Sequence, residues 1–75
     1  MKRLEDWPPP AWAEVVVTWD IMLDHSDMNP NDITEWLYRT PGHGRWHLHG
    51  YKQTEGFAFR FEDSRDAVLF RLRWM

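Results

Sequence analysis

Three histidines, His43, His47 and His49, stand within the stretch "HGRWHLH" and are the side chains best suited to hold a metal or carry a proton. A His-x-His pair on one face of an extended strand aims both imidazoles the same way, and zinc then needs further ligands to complete its shell. Asp24 or His25 supplies one only along an undetermined loop path. Without it, His47 and His49 are surface imidazoles, and neither a metal nor a cofactor is expected. "DMNPND" has Asp27, Asn29 and Asn31 at the alternate positions of a calcium loop. Asp32 replaces the glycine that such a loop needs, and Tyr38 stands where its bidentate Glu belongs, so the motif fails. His25 lies beside Asp24 and Asp27, but no phosphate-cradling Gly-rich loop, nucleophile elbow or cysteine accompanies them, and no enzyme activity is expected.

The other chemical candidate is "EGFAFRFE", residues 55 to 62. Gly56-Phe57-Ala58-Phe59 resembles the core of the aromatic strand with which RNA-recognition-motif domains stack bases. In that register Phe57 and Phe59 face solvent, and Ala58, Arg60 and Glu62 point into the core. Burying an Arg and a Glu in a small core costs several kcal/mol per charge, roughly. The opposite register buries three phenylalanines at about 1.5–3 kcal/mol each. A slip of one residue flips every side chain, so the readings exclude each other. The phenylalanines are expected inside.

The elements around them follow from periodicity. Residues 1 to 12 contain "WPPP", a stiff polyproline strap expected to fold Trp7 and Trp12 onto the domain. "AEVVVTWDI", residues 13 to 21, alternates, with Val15, Val17, Trp19 and Ile21 on one face of a strand. Asn29 caps a helix with Pro30 at its first position, or Asn31 caps it with Asp32 in the first turn. Ile33, Trp36, Leu37 and Thr40 form its apolar stripe, and Pro41-Gly42 ends it. "GRWHLHGY" is a second strand, Trp46 and Leu48 on one face, Arg45, His47, His49 and Tyr51 on the other. "KQTE" turns the chain into the phenylalanine strand. Asp63 or Ser64 caps a brief helix, and "RLRWM" alternates as a short last strand. Strand, helix, strand, strand, helix, strand predicts a single α+β domain, residues 1 to 75, with a ferredoxin-like (split βαβ) antiparallel sheet and two short helices on one face.

Composition sets the function class. Seventy-five residues make one domain with a limited core. With no cysteine, six Trp, four Phe and two Tyr must supply most of the buried area. The opening "MKRLEDWPPP" lacks the apolar stretch of a secretory signal, and a soluble intracellular protein with no membrane contact is expected. Residues 1 to 35 carry two basic and eight acidic side chains, a balance of -6, and residues 36 to 75 carry seven and four, a balance of +3. Two candidate partner surfaces result. One is an acidic edge, Asp20, Asp24, Asp27, Asp32 and Glu35, able to imitate phosphates toward a basic protein. The other is a sheet face of Arg45, His47, His49, Tyr51 and Arg60, joined by Arg71 and Arg73 if the last strand forms. That face is also a candidate homodimer interface and, alternatively, a nucleic-acid platform. Net charge -3 argues against nucleic acid.

The closing segment, from Phe59-Arg60-Phe61-Glu62-Asp63-Ser64-Arg65-Asp66-Ala67 to Phe70-Arg71-Leu72-Arg73-Trp74, resembles a pattern in small bacteriophage-encoded proteins of unknown function: an aromatic strand, an Asp-Ala helix start and Phe-x-Leu-Arg-Trp. The resemblance covers about the last twenty residues. It implies a phage protein in the cytoplasm of an infected host, and proteins of this kind often bind and redirect or inhibit a host protein complex. The expectation is a non-enzymatic binding protein of that sort.

Overall fold

The computed structural model of the chain describes residues 1–24, 30–52 and 55–75. Asp27 and the predicted Asn29 cap lie outside these. The elements run β1 (Lys2–Arg3), β2 (Ala13–Thr18), α1 (Trp19–Asp24), α2 (Pro30–Arg39), β3 (Arg45–Lys52), β4 (Gly56–Phe61) and α3 (Ser64–Trp74). Among the described residues this is an α+β fold, three helices and a mixed four-stranded sheet in the order β1-β3-β4-β2.

Alternation fixes the register. Val15 lies opposite Phe59 and Val17 opposite Phe57 in the antiparallel β2–β4 pair, while Trp46 lies opposite Phe61 in the β3–β4 hairpin. Phe59 and Phe61 are fully buried and Phe57 half-buried; Arg60 projects from the other face and Glu62, just past the strand, is exposed. The register that puts the phenylalanines inside is therefore the one adopted. Ile33 and Leu37 of α2 and Ala67, Phe70 and Trp74 of α3 close over them. Phe70 is the hub, its ring 5.2 Å from that of Phe59 and 5.1 Å from that of Phe61. Gly56 allows the hairpin to begin against β2. Its φ is +143°, and a Cβ there would lie 2.0 Å from the Val17 carbonyl oxygen.

Three expectations are corrected. The alternating run from Ala13 does not stay extended to Ile21. Thr18 accepts a hydrogen bond from the Ile21 N–H at 3.3 Å, which caps α1, so Ile21 packs against the core and Trp19 meets Phe57 edge-on from a helix. The predicted last strand is helix. Phe70 and Trp74, four residues apart, both turn inward, while Leu72 is 80 % exposed. A strand would put Leu72 and Trp74 on one face, so helical spacing wins the larger ring. The ferredoxin-like order is thereby lost. The edge of β2 has no strand from residues 71 to 75, and the fourth strand is β1, paired in parallel with β3 at the opposite edge.

The N-terminal segment is tied at its start. The Met1 nitrogen donates to the Leu37 carbonyl at 2.6 Å and to the Thr40 carbonyl, satisfying the end of α2. The Trp46 indole N–H donates to the Met1 carbonyl at 3.3 Å, and the Arg3 guanidinium lies 5.3 Å above the Trp46 ring.

Candidate functional site

The sheet face expected to be open is occupied by the strap. The Trp7 ring packs 6.1 Å from that of His47 and 5.0 Å from that of His49. His47 donates from Nδ1 to the Leu4 carbonyl at 2.7 Å, which fixes its tautomer. Farther along, the Arg45 guanidinium lies 5.5 Å from the Trp12 ring. Pro8, His47 and Ala58 are buried, and the strap contacts His47 directly. Stiff prolines lower the entropy lost when the two tryptophans settle, so the strap is suited to lie there.

Arg45, His47, His49 and Arg60 do share a face, but its charges are satisfied within the molecule. Arg60 pairs with Glu14, directly across the β2–β4 ladder, at 3.0 Å and with both side chains mostly covered. Arg45 holds Glu62 through two side-chain hydrogen bonds of 3.2 and 2.8 Å. The Arg45 side chain, together with the Arg45 backbone N–H, keeps the Glu62 carboxyl below its ordinary range. A register shift between Leu48 and Gly50 interrupts the ladder, and beyond it the Tyr51 backbone pairs with Phe57. Arg71 and Arg73 are on α3, away from the sheet. The sheet face therefore lacks the Arg71 and Arg73 that a last strand would have added, and a sheet-to-sheet homodimer would first have to displace the strap.

The acidic edge is divided as well. Asp20 lines a shallow cleft of about 350 Å³ with Val16, Thr18, Trp19 and Glu55. Asp32 and Glu35 line a separate recess of about 220 Å³ with Trp36, Arg39, Arg73 and Trp74. Glu35 forms an exposed ion pair with Arg39, one helical turn on. Asp24 ends α1. Among the described residues, no three His, Asp or Glu side chains converge as a metal site would require, and no helix is long and apolar enough to cross a membrane.

Asp63, one of the two predicted caps, starts α3, accepting from the Arg65 N–H at 2.9 Å and gripping the Arg65 guanidinium at 2.6 Å. These contacts hold the Asp63 carboxyl at about 2. What the sequence reading missed lies beyond that cap. Asp66, 1 % exposed, accepts from the backbone N–H groups of His43 and Gly44 at 3.0 and 2.9 Å. It therefore fastens the loop before β3 to the first turn of α3.

Beyond that turn the helix is apolar on two sides. Ala67, Phe70 and Trp74 are buried, while Val68, Leu69, Leu72 and Met75 are exposed. The signal was present as "AVLFRLRWM", in which apolar residues outnumber those that one helical face can hide. Read as a strand end, the excess disappeared. Conversely, the tryptophans expected to be in surplus are mostly used: Trp46 and Trp74 are buried, and Trp7, the most exposed of the six, packs on the histidines. Compared with protein-family models, curated proteins and solved structures, the chain matches none of them.

Proposed function

We propose that the chain is a small non-enzymatic binding protein, phage-encoded and working in the cytoplasm of an infected host, that modulates or inhibits a host protein complex by occupying a surface of it. One observation carries the binding part: the outer face of α3, with its C-cap Met75, exposes four apolar side chains, Leu72 80 % and Val68 56 % accessible. An apolar stripe of this kind, on a helix already anchored by its other face, is characteristic of protein contact surfaces. The phage origin and the host complex rest on the resemblance of residues 59 to 74. The nucleic-acid reading has less support, because Arg45 and Arg60 are engaged by Glu62 and Glu14 and the strap covers His47.

Affinity capture from a bacterial lysate tests this reading. The wild-type protein is expected to retain a defined host complex, and Leu72→Asp to lose it without loss of fold by circular dichroism. Failure to retain any host protein reproducibly overturns it. Fluorescence anisotropy with labelled single strands checks the rival. Micromolar binding that weakens steeply with salt and disappears in Arg60→Glu would establish the nucleic-acid module instead.

A further inference from the structure

We propose that α3 acts as a helical ligand for an apolar groove whose two rims carry carboxylates, on a protein of a different sequence. This rests on the binding-protein reading and names the chemistry of the partner.

Helical geometry gives the shape of the contact. At about 100° per residue, with Leu72 taken as the centre of the outer face, Val68 and Met75 fall about 40° and 60° to one side and Leu69 about 60° to the other. Val68, Leu72 and Met75 are thus anchors at i, i+4 and i+7, with Leu69 widening the stripe, which is the spacing a groove reads from a docked helix. Arg71 and Arg73 fall about 100° to either side of Leu72, so each edge of the stripe carries one guanidinium. The buried trio Ala67, Phe70 and Trp74 occupies the far side.

Charge selects the partner. Arg71 and Arg73 are exposed, and among the described residues neither makes an ion pair; Arg73 lies instead 4.3 Å over the adjacent Trp74 ring. Arg65, by contrast, is committed to Asp63. A groove deep enough to cover Leu72 brings one rim to Arg71 and the other to Arg73. Arg73 stacks on Trp74 and borders the recess of Asp32 and Glu35 without an ion pair to either. A desolvated guanidinium needs a carboxylate opposite it. A second copy meeting this face with the same face would set Arg71 and Arg73 against their own counterparts. A flat anionic bilayer would gain little from two guanidiniums on a chain whose net charge is -3, whereas carboxylates on groove rims can pair with each of them directly.

The probes are two designed helical bundles with the same Leu-lined surface groove, one rimmed with Glu and the other with Lys, titrated against the full chain by fluorescence anisotropy. The Glu-rimmed bundle is expected to bind at least tenfold more tightly. The Arg71→Glu, Arg73→Glu double variant is expected to reverse that order, and Leu72→Asp to abolish binding to both. Absence of binding, equal binding to the two bundles, or binding unaffected by Leu72→Asp overturns the proposal. So does preferential sedimentation with phosphatidylglycerol vesicles, or a concentration-dependent dimer abolished by Leu72→Asp. A host complex captured through Leu72 without any rim preference leaves the binding reading intact and removes only the partner chemistry. Rim preference without a host complex does the reverse.

Discussion

Asp66 carries a carboxylate into the interior beneath the first turn of α3, where the His43 and Gly44 amides and the positive end of the helix compensate it. Asp66→Ala leaves those amides without a buried acceptor and is expected to cost about 2–3 kcal/mol, measured as a shift in urea midpoint at unchanged slope. A loss within experimental error would mean that water replaces the carboxylate. Three residues earlier, Asp63 offers a pH test. Its folded value of about 2 lies below the ordinary 3.8, so its ionised form stabilises the fold. That contribution is complete above about pH 4 and is lost as the pH falls through about 2. The thermal midpoint of the wild type should exceed that of Asp63→Asn at pH 7, and the gap should close between pH 4 and pH 2. A gap independent of pH would refute the linkage.

At the scale of elements, α3 is where sequence and structure part most sharply. "RLRWM" alternates, and alternation predicts strand; yet Phe70 and Trp74 are an i, i+4 pair, and no Gly or Pro interrupts the helix that Asp63 starts. Trp74→Ala should cost about 3–5 kcal/mol, while Leu72→Ala, on the wet side, should stay within about 0.5 kcal/mol. Equal costs for the two would favour a strand. The phenylalanine strand was legible because Arg60 and Glu62 made the wrong register expensive. The start of α2 was legible in part, since Pro30 opens it and Ile33 and Leu37 face the core. The end of β2 was missed because Val15, Val17, Trp19 and Ile21 keep strict alternation through a capping Thr18. The site was less legible than the fold. Arg45, His47, His49 and Arg60 were correctly put on one face, but whether a face is wet depends on where a distant strap lies. No local period encodes that.

For the molecule as a whole, the strap decides which surfaces exist. β1 covers the edge of β3, Met1 holds the end of α2, and Trp7 and Trp12 shield the second face of the sheet. Without residues 1 to 12 the β3 edge would present unpaired backbone groups, and the His47 ring would meet water. A chain beginning at Ala13 is therefore expected to melt well below the full chain and to associate with rising concentration in light scattering, through the bared edge and face. Hydrogen exchange would speed up most in β3, whose amides lie between the strap and β4. The outer face of α3 lies on another element, and its stripe of Val68, Leu69, Leu72 and Met75 would be unchanged. A shortened chain that remained monomeric with an unaltered melting temperature would show the strap to be an ornament. The sheet face would then have to be reconsidered as a second binding surface beside α3.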